Sequence, residues 1–314
     1  MSRKPSLLAI GAAHVDRRGR VFAPHVPGAS NPGTMSEEVG GGAFNALRNA
    51  MRHGVGGAMM SLRGGDTAGE TVARAIADVG AQDLSAVYLD RTTPSYTAIL
   101  DHDGELVTGF ADMALYEAGF LRHMRRIGPR TALTECDAIL CDANMPADAI
   151  AWLSANRGDR PVHAIAISPA KAGRLLASLP RLDTVFMNVR EARTLAGVGE
   201  DAPMADMVAA LKAAGMRRGV VTAGASALTG FDGDGSFSIA PPAAQDVVDV
   251  TGAGDAIAGT AVAAMMEGLP FRAAVRRGMA AAWLTIASPA VVAEYADAAF
   301  EAALSLVGEA RPVA

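Results

Sequence analysis

Cysteine is almost missing from this chain of 314 residues. Cys136 and Cys141 are the only two and share one strand-like segment, which suits neither a disulfide framework nor a zinc site, so they read as buried free thiols. Long apolar runs are missing too. The longest uncharged one, around Met279 to Ala293, falls short of the roughly 18 residues a membrane span needs and contains Pro289. Lys and Arg form no run and do not interleave with aromatics, and 28 basic against 33 acidic side chains leave a formal charge of −5. That excludes the electrostatic footprint of a nucleic-acid binder. No Gly-x-x-x-x-Gly-Lys-Ser/Thr loop is present, and the first apolar strand leads into GAAHVD instead of Gly-x-Gly-x-x-Gly, with no acidic ribose reader about 20 positions on. A Walker-type kinase and a dinucleotide-dependent dehydrogenase are thereby set aside. Arg3 and Lys4 before Leu7 to Ala13 imitate a signal peptide, but the run is at the lower length limit and passes directly into His14-Val15-Asp16. It reads as a first buried strand, and a cytoplasmic location is the default expectation.

What is present is enough apolar residue, 50%, to build a self-sufficient core, and one domain over 1–314 is expected. Short aliphatic runs at Leu7 to Ala12, Ala138 to Cys141, His163 to Ile167, Thr184 to Met187 and Gly219 to Thr222 alternate with helix-period segments. Those helices are expected at Ala43 to His53, Thr67 to Val79, Ala147 to Asn156, Ala205 to Ala214, Gly254 to Glu267 and Phe271 to Thr285. The alternation predicts an α/β fold, a mainly parallel sheet covered by helices on both faces. Two regions break it. From Asp16 to Val39 the chain is loop-rich, with Arg, Pro, Gly and His and no helix period; from Val87 to Phe110 it alternates around His102-Asp103-Gly104 as a hairpin. A small β lid built from segments near 14–39 and 87–112 is expected over one edge of the main sheet.

The most informative stretch is DVTGAGDAIAGTAVAAMMEG, Asp249 to Gly268. Gly252, Ala253 and Gly254 leave backbone amides unobstructed at the start of a strong helix, where free N–H donors and the positive dipole end favour an anion. Asp255, in the first turn, would then lie beside that anion. A carboxylate there makes sense as the acceptor of a proton from a hydroxyl attacking a phosphate, although a tight turn followed by a dipole-favoured Asp would look the same.

TGAGD opening a long apolar helix late in the chain resembles the C-terminal signature of the ribokinase (PfkB) family of ATP-dependent sugar and nucleoside kinases, and EVGGGAFNALRNAMRHG, Glu38 to Gly54, resembles its N-terminal signature. There Gly40 and Gly41 let backbone approach a polyhydroxy ligand, and Asn45 can donate and accept to a hydroxyl pair; a glycine hinge before an ordinary helix is the plainer alternative. Smaller matches agree. Asp16 follows the first strand where family members carry a sugar-binding Asp, or it is a strand-end turn residue. GGDTAGE, Gly64 to Glu70, resembles a structural loop of the family. MNVREA carries Asn188 and Glu191 like the family's Asn-x-x-Glu element, whose Asn approaches phosphates and whose Glu acts on Mg²⁺ through water; a capping box has the same pattern, and the two roles are compatible. VVTAGASA resembles the strand and turn that meet ATP, with Thr222 and Gly224 at the matching positions. The resemblance runs from about Leu8 to about residue 285.

Departures stand beside it. Ala227 replaces a common Gly, Ser168 a common Asp, and Leu284 to Tyr295 lacks the Gly-containing loop that completes a monovalent-cation site in many relatives, which leaves Asp249 and Thr251 as the candidate ligands for K⁺. SNPGTM, TPSYTAILDHDGELVTGFADM and CDANMPADAIAWL look most like the pseudouridine kinase branch; another sugar or nucleoside, and a non-catalytic ligand-sensing relative, remain open. The implied reaction is phosphoryl transfer from MgATP to a ribosyl 5′-hydroxyl. Asp255 would be the base and Gly252 to Gly254 the anion hole. Asp16, Gly41, Asn45 and Asn144 would bind the sugar, Asn188, Thr222 and Gly224 the ATP, and Glu191 the Mg²⁺ through water. A homodimer through the lid is expected, because small sheets leave edges that proteins cover.

Overall fold

The computed structural model describes residues 3–243 and 247–313. Its main sheet has ten strands, seven of them mutually parallel. From one edge these run Gln82–Asp83, Gly56–Met60, Ser6–Ile10, Ala138–Asp142, Val162–Ile165, Thr184–Asn188 and Gly219–Ala223. Three antiparallel strands, Ser226–Asp232, Gly235–Ile239 and Arg311–Val313, complete the other edge. The central strands read as unbroken apolar runs because both of their faces are covered. In Ser6–Ile10, Leu7 and Ala9 enter one core and Leu8 and Ile10 the other, following the period-2 alternation of a strand. Both cysteines are free and buried, as expected, and burial pushes the Cys136 thiol up to about 11.

The expected helices form at Gly42–Arg52, Thr67–Asp78, Ala147–Asn156, Met204–Ala213, Ala253–Met266 and Phe271–Ile286. Ala253–Met266 is sandwiched between Gly42–Arg52 and Phe271–Ile286. Its small residues make that possible: a Cβ on Gly259 would lie 2.0 Å from the carbonyl oxygen of Ala46. Two glycine-rich segments far apart in sequence are thus brought together by close backbone packing. Asp66 caps the helix Thr67–Asp78, accepting from the Gly69 amide, and also takes hydrogen bonds from Thr93, so GGDTAGE has a structural job.

A second sheet has the order Gly33–Gly40, His14–Val21, Ser95–Leu100, Leu106–Asp112. The hairpin around Gly104 is as expected, but Asp16 to Val39 is loop only over 22–32: its two ends are long antiparallel strands in register from His14–Gly40 to Val21–Gly33. The apolar signal is missing there because one face of His14–Val21 carries Asp16, Arg18 and Arg20. The register places Asp16, Arg18 and Tyr96 on that face and Gly19, Met35, Ile99 and Phe110 on the other. Ala86–Tyr88 leaves the hairpin region and pairs in parallel with Leu62–Gly64. Buried Tyr116 donates to the Ala13 carbonyl and accepts from the Ala13 amide, fixing the link between the first strand and this sheet.

Candidate active site

In an open parallel sheet the C-terminal strand ends form the crevice in which ligands bind. Ser6–Ile10, Ala138–Asp142, Thr184–Asn188 and Gly219–Ala223 all deliver a sequence-identified segment there. Gly252 caps the helix Ala253–Met266 with φ +82°, and a Cβ on it would lie 2.1 Å from the Val291 carbonyl oxygen. Left-handed backbone and close approach both require glycine at this position. Among the described residues the Gly254 amide has no acceptor, and the space where its Cβ would stand is open. The helix start therefore presents a free donor and the positive dipole end to the crevice.

Asp255 follows in the first turn, partly buried, and its Oδ2 accepts from Asn45 Nδ2 at 2.9 Å. Burial raises its carboxyl to about 7; nearby Asp142 and Asp16 push the same way, while the Asn45 hydrogen bond and Arg48 oppose them. Asn45 is itself held: Arg48 Nη2 donates to Asn45 Oδ1 at 2.6 Å. Arginine has no acceptor, so the carbonyl of the Asn45 amide must face Arg48 and its NH₂ must face Asp255. The guanidinium packs over the Phe44 ring.

Asp16 lies on the same side. Its Oδ2 occupies the space beside Gly40, 2.1 Å from where a Cβ would be, and its Oδ1 meets His14 Nε2 at 3.2 Å. Gly41, at φ +109°, starts the helix Gly42–Arg52 tightly against the Ala12 carbonyl. Asn144 is buried, donates to Asp142 Oδ2 and accepts from Lys171 Nζ at 2.5 Å. Glycines, Asp16, Asn45, Asn144 and Asp255 thus gather around one end of the sheet.

On the other side Asn188 and Thr222 are neighbours in the sheet, and Gly224 turns the chain with φ +61°. Asn188 and Glu191 form a complete capping box: Asn188 Oδ1 accepts from the Glu191 amide, and the Glu191 carboxylate accepts from the Asn188 amide and side chain at 2.8 and 2.7 Å. Burial raises the Glu191 carboxyl. Each of its oxygens keeps an acceptor site beyond the box, which suits water-mediated contact with a cation. Asp249 Oδ1 accepts from the Thr251 amide and hydroxyl, and its Oδ2 pairs with Arg18 Nη1 at 2.7 Å.

Residues 4–296 match the family described as pfkB family carbohydrate kinase. This chain belongs to that family. The carbohydrate kinase from Agrobacterium tumefaciens is 44% identical, with a TM-score of 0.87 and coverage of 98% of this chain and 99% of that one. Escherichia coli K12 pseudouridine kinase is 27% identical over 287 residues, 88% of each chain. The ribokinase of Arabidopsis thaliana, solved with ribose and ATP, shares the fold at TM-score 0.85 and 19% identity, covering 96% of this chain and 99% of that one. This PfkB-family enzyme is an ATP-dependent phosphotransferase for a sugar or nucleoside, with the ribokinase fold. No helix among its described residues is long and apolar enough to cross a membrane.

Three residues of the kinase escaped sequence reasoning. Asp142 ends the central strand fully buried, and its carboxylate accepts from the amides of Ala12, Ala43 and Asn144 at 2.9 to 3.0 Å. It ties the first strand's exit, the Gly42 helix and the Asn144 loop into one unit; a charged residue closing an aliphatic run was the only available signal. Ile167 has φ +68°, a strained conformation for a β-branched residue, and its Cδ1 fills the space beside Gly42. Arg48 lay in plain view on the signature helix, but only the fold brings its guanidinium to the Asn45 amide.

Proposed function

We propose that this kinase transfers the γ-phosphoryl group of MgATP to the 5′-hydroxyl of pseudouridine. The observation that carries the chemistry is Asp255, a carboxyl raised to about 7 beside a free helix N-terminus and hydrogen-bonded by Asn45. A group titrating near the working pH suits general-base work. Asp255 takes the proton from the hydroxyl as the O5′–phosphorus bond forms and the bond from phosphorus to the bridging oxygen breaks, releasing ADP. The free Gly254 amide of the Gly252 to Gly254 turn offsets charge on the transferring group, whereas the Ala253 amide, expected to be unobstructed, donates to the Val250 carbonyl at 3.4 Å. Asp16, Gly41, Asn45 and Asn144 hold the ribosyl group. Asn188, Thr222 and Gly224 border the ATP, and Glu191 would hold the nucleotide's Mg²⁺ through water, where the cation would offset charge on the polyphosphate.

Pseudouridine as acceptor is supported by the Escherichia coli relative, which spans 88% of this chain, and by the SNPGTM and hairpin sequences. The second sheet acts as a lid that excludes water, because the acceptor must be a sugar hydroxyl. Its outer face, with exposed Met35 and Phe110, is the surface on which a homodimer forms, in the cytoplasm. Sedimentation showing only monomer at micromolar concentration counts against that dimer. The deciding experiment is ATP-to-ADP turnover with Mg²⁺ against pseudouridine, uridine, adenosine, ribose, 2-deoxyribose and fructose, with Asp255→Ala as control. Fast, Asp255-dependent turnover on pseudouridine alone supports the reading. Preference for another acceptor keeps the mechanism and overturns the substrate.

A further inference from the structure

Asp249 opens the phosphate-site turn, and its partner comes from the other sheet. Arg18 Nη1 meets Asp249 Oδ2 at 2.7 Å across 231 residues of sequence, while Oδ1 is spent on the Thr251 amide and hydroxyl. The nearby Ile286 carbonyl accepts from the amides of Val248 and Asp249. The residues that would hold a monovalent cation here are therefore already engaged by donors and by a fixed positive charge, and they do not suit K⁺. Arg18 stands two residues from Asp16 on one face of one strand, so the strand that offers Asp16 to the sugar also offers Arg18 to the phosphate turn.

We propose that Arg18 is a positioning residue that supplies the cation at Asp249 and thereby couples the sugar side of the site to the Gly252–Gly254 anion hole, without K⁺. When the strand settles over the acceptor, the guanidinium draws Asp249 and the Thr251 turn into the arrangement that aims the amides at the γ-phosphoryl. Glu38, whose Oε1 lies 3.8 Å from the Arg18 guanidinium, and Asp16 keep the cation on this face.

The proposal rests on the anion-hole reading above, and the test separates the two. Steady-state turnover of the full chain is measured for wild type, Arg18→Ala, Arg18→Lys, Asp249→Asn and the double variant, in Na⁺ and in K⁺, with and without millimolar guanidinium. Exposed Arg20, bonded to the His102 carbonyl, gives the control Arg20→Ala. Arg18→Ala is expected to lose about 10- to 100-fold in kcat, the scale of one charge-assisted hydrogen bond. Guanidinium restores several-fold of that and Lys part of it; wild type is indifferent to K⁺. Asp249→Asn keeps an acceptor for Thr251, so it carries the test if Arg18→Ala fails to fold, and its loss should not add to that of Arg18→Ala. Full additivity, no guanidinium rescue, or K⁺ activation of wild type overturns the proposal. An active Asp255→Ala variant overturns the site reading instead.

Discussion

The side-chain amide of Asn45 donates to the carboxylate of Asp255 at 2.9 Å, joining two glycine-rich segments 210 residues apart. Besides the sugar contact proposed for it, Asn45 has a partner inside the protein. Backed by Arg48, it orients the carboxylate and tunes its affinity for a proton.

Removing the carboxylate tests its role most directly. Asp255→Ala should lower kcat by roughly 10² to 10⁴-fold, the usual contribution of a general base, while ATP binding followed by calorimetry stays within a few-fold of wild type. A variant with near wild-type turnover takes the base role away from Asp255.

The pH profile should move in opposite directions for its two neighbours. With Asp255 at about 7, kcat/KM rises as pH increases through that value. The Asn45 hydrogen bond holds the carboxyl down, so Asn45→Leu moves the rising limb to higher pH. Asp142 pushes it up by charge, so Asp142→Asn moves the limb lower. Profiles from pH 5 to 9 that shift together, or not at all, contradict this electrostatic account.

Ionised Asp255 also costs stability. Its carboxyl titrates at about 7 in the folded chain against 3.8 as the ordinary value, so between those pH values the folded state holds more protons than the unfolded one. Stability contributed by this group therefore falls as pH rises through that window. Asp255→Asn should raise the melting temperature by more at pH 8 than at pH 5 in a thermal shift series; an equal change at both pH values removes the linkage.

Asp142→Ala strips an acceptor from three buried amides and should cost roughly 2 to 4 kcal/mol of unfolding free energy, measured by urea titration. A loss below 1 kcal/mol, about the size of an ordinary surface change, means water or another group replaces the carboxylate.

Gly252→Ala puts a Cβ 2.1 Å from the Val291 carbonyl oxygen on backbone at φ +82°. Activity should fall at least about 10-fold, because the turn that carries the amides must move to relieve the clash. Wild-type kcat in a correctly folded variant would show that the turn tolerates displacement.

Local physics wrote much of this protein into its sequence. Aliphatic runs covered on both faces, helix-period segments between them, the TGAGD turn and the Asn188–Glu191 box depend on near neighbours, and they were readable together with Asp255. The strand His14–Val21 was not, because its site-facing side carries charge in place of apolar periodicity. Tertiary structure alone decided the rest. Asp142 gathers amides from positions 12, 43 and 144, Arg48 fixes which way Asn45 points, and Arg18 reaches Asp249 from another sheet. Each of these depends on groups distant in sequence meeting within hydrogen-bonding reach, and no local periodicity encodes that distance.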